Sequence, residues 1–403
     1  MKIAINAASA KMGGALTYLT NLLQNLPPAE SGFHFFVFLP ADTAKLLPEV
    51  GGNIRICALP NQDTHGWRRL WWEQVVLRRF LRSENIDALF SSANFAMFDC
   101  PVRQILLVRN ALYFSKLYQG MFLRRHGPRY RLAFALRRWM IIRSVRSADV
   151  VMTPTQAMLD DLRRFVKVDS KKALVNPYGV VVAGSSLPGI QRTNVKLAHA
   201  DGRVVRLIYV SLYAEHKNLS TLLKAMPLLN KNGTGTFLLR TTVDPAWKGA
   251  AWTVTHRTDL ALARQPDVAP WVEFLGPLAS EQVEQVYRDG DVFVFPSFCE
   301  SFGQPMAEAM LHGLPIVAAD TAVNREICGG AAVYFSPHDP QDLARQIQSV
   351  ASDVALQQRL RASAQEQWQM KHRWDTHVRR MIEIVGSSLT ANGSLQCKAH
   401  YAE

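Results

Sequence analysis

The chain has 403 residues, of which 48% are hydrophobic and 20% charged, and its formal net charge is +13. That length predicts two domains, each with its own core, and the composition excludes wholesale disorder and fibrous repeats. The charge excess sits in residues 1–190, with 25 Lys+Arg against 12 Asp+Glu, whereas residues 191–403 hold 21 of each; the first half is therefore expected to meet an anionic partner.

Lys2–Asn6 reads as a short apolar strand, too brief for the apolar segment of a signal peptide. After Gly13 and Gly14, Leu16, Leu19, Leu22, Leu23 and Leu26 recur at helical spacing, and Pro27 and Pro28 end the helix. Phe33–Leu39, Ile86–Ser91, Gln104–Val108 and Val150–Pro154 read as strands, with helices over Trp67–Arg82 and Tyr130–Ser147. Strands separated by helices predict parallel βαβ units. Residues 183–203 are small and polar and read as a linker. The alternation then restarts: strand Arg206–Ser211, helix Leu219–Leu229, strand Thr236–Leu239, strand Val272–Leu275, helix Glu281–Tyr287, and strands Val292–Phe295 and Ile316–Ala319. Leu389–Glu403 is polar and expected to fray. The expected architecture is two consecutive doubly wound α/β units, with ligands in the cleft beyond the carboxyl ends of their strands. No stretch reaches the ~18–20 uncharged apolar residues of a membrane span. Five cysteines without a C-x-x-C pair argue against a disulfide framework or zinc ribbon and for a reducing cytoplasm.

The segment from Phe295 to Pro315 concentrates chemistry. Strand Val292–Phe295 ends at Pro296, a loop carries Glu300 and Gly303, and Pro305 and Gly313 are placed to open and close a short helix. The amides of its first turn would favour an anion, and Glu308 is expected in that turn. Carboxylates beside an anion site are badly placed for phosphates and well placed for sugar hydroxyls. The bland alternative is that Glu308 only complements the helix dipole and Glu300 is solvated.

This block, F-P-S-x-x-E-S-F-G-x-P-x-x-E-A-M-x-x-G-x-P with Glu300-x7-Glu308 inside it, resembles the signature of the retaining GT-B glycosyltransferases of family GT4. Ile316–Asp320, Glu326, Asp339-Pro340, Gly13-Gly14 with Tyr18, Val175–Gly179 and Val210–Asn218 resemble further family segments in the right order. The resemblance implies an α/β GT-B fold of two Rossmann-like domains: residues 1–190 binding acceptor and 191–364 binding the nucleotide sugar. Helices over 365–388 would cross back to the first domain, and 389–403 would form a tail. It implies roles too. Glu308 would accept from ribose hydroxyls, Glu300 would contact the donor sugar, Phe302 and Gly303 would offer backbone N–H groups, and Lys217 would pair with the diphosphate. Gly13 and Gly14 would let the first domain's backbone approach the donor. Glu300 is the candidate catalytic residue, without a covalent role. No metal and no cofactor beyond the nucleotide-sugar co-substrate are expected.

Two positions depart from the family pattern. Ser211-Leu212 stands where Gly-Arg is frequent, so a diphosphate cation is missing, and Arg240 at the end of its strand is the candidate replacement. Arg109-Asn110 stands where a His-Asp pair is frequent, which makes Arg109, Asn110 and Asn94 the acceptor-side candidates. Asp289-Gly290-Asp291 matches a metal-binding D-x-D but falls on the amino side of strand Val292–Phe295, and Cys299 has no histidine near it in sequence. No P-loop, G-x-G-x-x-G or H-E-x-x-H occurs.

Met121–Ala148 holds Arg124, Arg125, Arg129, Arg131, Arg137, Arg138, Arg143 and Arg146 and no acid. Leu132, Leu136, Trp139, Met140 and Ile142 are interleaved with them. Trp67–Arg82 adds Trp67, Trp71 and Trp72 among Arg68, Arg69, Arg78, Arg79 and Arg82. Basic helices with tryptophan fit an anionic bilayer surface better than nucleic acid, for which no motif is present. The expected protein is a metal-independent retaining glycosyltransferase, cytoplasmic and peripheral at the inner membrane face. It would move a sugar such as mannose or rhamnose from a nucleotide diphosphate to a hydroxyl of a surface glycan, lipopolysaccharide or exopolysaccharide. The rivals are a nucleotide-sugar epimerase and a non-catalytic two-lobed sugar-binding protein.

Overall fold

The computed structural model describes residues 1–11, 13–61, 66–121, 123–180, 204–231, 235–246, 254–371 and 373–386. The linker expected at 183–203 and the tail at 389–403 lie outside the described residues.

Two wholly parallel sheets organise the chain. The first contains β1 (Lys2–Asn6), β2 (His34–Pro40), β3 (Ile54–Leu59), β4 (Ala88–Ser91), β5 (Arg103–Leu107), β6 (Val150–Thr153) and β7 (Ala173–Val175) in the order β3-β2-β1-β4-β5-β6-β7. The second contains β8 (Val204–Tyr209), β9 (Thr236–Thr241), β10 (Val272–Phe274), β11 (Val292–Phe295), β12 (Ile316–Ala319) and β13 (Ala332–Phe335) in the order β10-β9-β8-β11-β12-β13. Central strands carry unbroken apolar runs because helices cover both faces; all four residues of β11, Val-Phe-Val-Phe, are buried. Strand order reverses between β1 and β4 and between β8 and β11. Crevices open at such switch points, beyond the carboxyl ends, and there the loops after β1, β4 and β5 face those after β8 and β11.

The expected helix Trp67–Arg82 is three pieces: Gly66–Trp71, a π-helical turn Trp72–Val76, and Leu77–Ser83. The wide turn carries both Trp72 and Glu73 into the interior. Trp72 packs 5.4 Å from the Phe38 ring, so it belongs to the core and not to a basic surface.

Helix Val354–Lys371 packs on the second domain, so the boundary expected at 365 falls within it. The return to the first domain begins at helix Trp374–Gly386, which lies on helix Gly14–Gln24. Tyr18 meets the Trp374 ring at 5.5 Å and shares a 3.0 Å hydrogen bond with His377 Nε2. Asn176 Nδ2 donates to the His377 carbonyl at 2.9 Å. A Cβ on Gly179 would stand 2.2 Å from the Trp374 nitrogen, so only glycine admits this helix.

Candidate active site

The second domain's wall is built by tying two loops together. Asn218, in the left-handed conformation at φ 57°, donates from Nδ2 to the Pro296 carbonyl at 3.1 Å. The Phe298 N–H donates to the His216 carbonyl at 3.1 Å, and the Tyr209 hydroxyl donates to the Lys217 carbonyl at 3.1 Å. The loop after β8 is thus held against the loop after β11, and Lys217 Nζ reaches Glu300 Oε1 at 2.5 Å. Burial alone would raise the Glu300 carboxyl; the Lys217 ammonium, joined by His216 and the Ser297 hydroxyl, outweighs it and holds the group below its ordinary value. Burial and the same ammonium push the His216 imidazole down to about 4, so it is neutral.

Gly303 sits at φ 81°, and a Cβ there would meet Met306 Cε at 2.4 Å. Helix Gln304–Leu311 starts after it, so Glu308 lies beyond the first turn, contrary to expectation, and does not cap the helix dipole. Its carboxylate instead accepts from the Tyr287 hydroxyl at 2.8 Å, and burial raises its pKa. The Phe302 ring is buried 5.0 Å from Tyr178.

The facing wall belongs to the first domain. Asn94, at φ 59°, accepts on Oδ1 from the backbone N–H groups of Arg109 at 2.9 Å and Asn110 at 3.1 Å. Asn110 Oδ1 in turn accepts from the Leu112 N–H at 3.2 Å. Both asparagine oxygens are committed to the backbone, leaving their amide NH2 groups and the Arg109 guanidinium. A cavity of about 500 Å³ separates the walls. Asn94, Arg109, Asn110 and Gly14 line one side, Glu300 and His216 the other. Nothing lies within 4 Å of where a Gly14 Cβ would stand. Gly13, at φ 57°, faces Leu212 across the domains, its Cβ position 3.3 Å from Leu212 Cδ1. Lys217 reaches the cavity through Glu300, whereas Phe302, Gly303 and Glu308 lie outside its lining.

Arg240 is not brought here. Its Nε donates to Glu273 at 2.8 Å and its Nη1 is 3.7 Å from Asp289, so two carboxylates hold it away from Lys217. Leu212 is 62% exposed, and among the described residues no cation replaces the absent arginine beside Lys217 on this wall. Asp291 is buried and accepts the Arg206 N–H at 2.9 Å, while Asp289 is engaged by Arg240 and by Gln285 at 2.7 Å. Among the described residues no group of three His, Cys, Asp or Glu could hold a metal ion. Cys299 lines the cavity, but burial pushes its thiol up to about 12, which keeps it protonated.

Sequence reasoning missed Arg69, which also lines the cavity. Its guanidinium is paired with Glu73, four residues on, at 2.8 Å. That spacing was the available signal. The cavity role of His216 was marked only by its place beside Lys217.

A family model described as Glycosyltransferase Family 4 matches residues 12–183, and one described as Glycosyl transferases group 1 matches residues 204–353. A D-inositol 3-phosphate glycosyltransferase of Salinispora arenicola is 32% identical over 34% of this chain. An O-antigen chain mannosyltransferase B of Escherichia coli is 27% identical over 40% of it. These alignments take in 31% and 42% of the two relatives, less than half of each. The solved sucrose-phosphate synthase of Thermosynechococcus elongatus superposes with a TM-score of 0.71 at 19% identity, over 97% of this chain and 100% of that one.

Proposed function

The chain belongs to the group 1, family 4 glycosyltransferases, with the GT-B fold, and on that premise we propose that it transfers a sugar, with retention and without a metal, from a nucleotide diphosphate to a hydroxyl of a surface glycan. The observation that carries this reading is the Lys217–Glu300 pair at the edge of a cavity whose other wall comes from a separate domain. Departure of the nucleoside diphosphate develops negative charge on its terminal phosphate. Lys217 and the backbone amides at Phe302 and Gly303 stabilise that charge, and Glu300, released from Lys217 by the donor, meets the sugar hydroxyls. Glu308, fixed by Tyr287, takes the ribose. The acceptor enters along Asn94, Arg109 and Asn110.

The acceptor side is also proposed to rest on an anionic membrane face. On helix Pro128–Ser147, Leu132, Leu136 and Trp139 recur on one exposed face at helical spacing, with Leu132 72% exposed. Trp67, 73% exposed, and Trp71 stand on helix Gly66–Trp71. The loop around Phe98 lies between the two elements: Arg143 lies over the Phe98 ring, and Gln74 accepts the Phe98 N–H. Among the described residues no helix is long and apolar enough to cross a membrane.

Incubation with UDP-, GDP- and ADP-sugars in EDTA, with and without a glycan acceptor, tests the reading. Acceptor-dependent transfer with an unchanged anomeric configuration by NMR is expected. Epimerised donor without acceptor would mark an epimerase, and binding without turnover a sugar-binding protein.

A further inference from the structure

Two guanidinium groups stand on the first domain's wall of the cavity, those of Arg69 and Arg109. Each is held by a different device. Arg69 Nε and Nη2 both lie 2.8 Å from Glu73 Oε1, and Glu73, itself buried, also accepts from Asn6 Nδ2 at 3.0 Å. That pairing fixes the guanidinium plane and leaves Nη1 for other partners. Arg109 lies over the Tyr18 ring at 5.4 Å, and among the described residues no carboxylate pairs with it.

Among the described residues, two guanidinium groups against the one carboxylate of Glu73 leave an excess of positive charge on this wall. Among the described residues the opposite wall shows no such excess, because Lys217 is matched by Glu300 and Leu212 is uncharged. Like charges gathered in one cleft repel each other, and the same field attracts an anion. A neutral oligosaccharide would leave the Arg109 fork and the Arg69 Nη1 with only hydroxyl groups to meet, whereas guanidinium groups suit the oxygens of a phosphate or carboxylate. A space of about 500 Å³ is of the size of small-molecule sites.

We propose that the acceptor carries an oxyanion, a phosphate or a carboxylate, near the hydroxyl that is glycosylated, and that Arg69 and Arg109 bind it. The inference rests on the glycosyl-transfer reading and gives its acceptor a chemical class. Arg69 is then a specificity-determining residue, and Glu73 and the π-helical turn that buries it are the means of positioning it.

Calorimetry on protein first saturated with whichever of UDP, GDP or ADP it binds provides the test. Glucose 6-phosphate, inorganic phosphate and glucose are titrated in turn at constant ionic strength. Glucose 6-phosphate and phosphate are expected to bind at least about tenfold more tightly than glucose. Arg109→Gln is expected to weaken both by about tenfold or more while nucleotide affinity stays within about twofold. Arg69→Lys keeps a charge opposite Glu73, which protects folding, and should weaken both similarly because the fork is lost. Glucose 6-phosphate binding no more tightly than glucose, or binding untouched by both substitutions, overturns the inference. So does phosphate binding that disappears once nucleotide is present, since the cations then serve the donor's diphosphate. Failure of the wild-type protein to bind any nucleotide is a separate result: it removes the glycosyl-transfer reading, and the acceptor inference falls with it.

Discussion

At the scale of single residues, the site depends on Lys217 and Glu300, which neutralise each other at 2.5 Å. In the proposed reaction a nucleotide diphosphate competes for the ammonium in both ground and transition states. Lys217→Ala is therefore expected to weaken nucleotide diphosphate binding and to lower turnover as well. Glu300 is proposed to meet the sugar, so Glu300→Gln should lower turnover far more than nucleotide affinity. Calorimetry and initial rates separate the two effects, and an unchanged rate in Glu300→Gln would remove Glu300 from the chemistry. Glu300 and Lys217 were legible because an ordered motif contains one and the loop after a strand contains the other. The place of Arg240 at a strand end does not show which way its side chain faces. Side chains alternate along a strand, and on β9 Arg240 shares the face turned to Glu273 and Asp289. Arg69 was absorbed into a general basic surface, because sequence spacing does not show that the buried Glu73 turns it towards the cleft.

At the scale of elements, strands at the centres of both sheets were legible from their apolar runs, as β1 and β11 illustrate. Of the edge strands only β10 was, read as Val272–Leu275. β3 mixes Arg55 and Cys57 into a half-buried pattern, and β7 has three residues. Helix Trp374–Gly386 carries a testable consequence. His377 is 1% exposed, hydrogen-bonded to Tyr18 and the Pro177 carbonyl, and burial pushes its imidazole down to about 4. The unfolded chain then binds a proton near the ordinary histidine value of 6.5, and the folded protein does not bind it until much lower pH. Stability is therefore full above about pH 6.5 and declines as pH falls towards 4. Between pH 7 and pH 5 this one group should cost about 2 kcal/mol. Urea unfolding at the two pH values is expected to show a smaller loss in His377→Gln, by about that amount. Equal losses in the two proteins would mean that His377 is not kept neutral by its burial under this helix.

At the scale of the whole molecule, polar contacts join the domains around the cavity. Glu326 accepts the Gln156 and Ala157 N–H groups at 2.6 and 2.7 Å, capping a helix of the other domain. The Thr155 hydroxyl donates to the Ser301 carbonyl at 2.9 Å, and His126 meets Glu215 at 3.1 Å. These pairings join residues far apart in sequence, so no local pattern announces them.

The charge asymmetry was legible, and its surface is partly redrawn. Arg138 packs against Phe165 and donates to Gln119 at 2.7 Å, so it is a structural residue. Arg124, Arg125, Arg131 and Arg137 are exposed. The protein is expected to sediment with vesicles containing anionic lipid and not with neutral ones. Binding should weaken as salt shortens the Debye length from ~10 Å at 0.1 M to ~3 Å at 1 M. Replacing those four arginines with glutamine should reduce it; equal partitioning to both vesicle types would contradict this role. If the cleft binds a nucleotide-sugar donor through its own side chains, nucleotide calorimetry in EDTA on wild type and Glu308→Ala will show it. One of UDP, GDP or ADP is expected to bind the wild type. Loss of a charged hydrogen bond of roughly 1.5–3 kcal/mol should weaken that binding about 10- to 150-fold in the variant. Absence of binding to all three, binding that requires an added divalent metal, or equal affinity in the two proteins would contradict it.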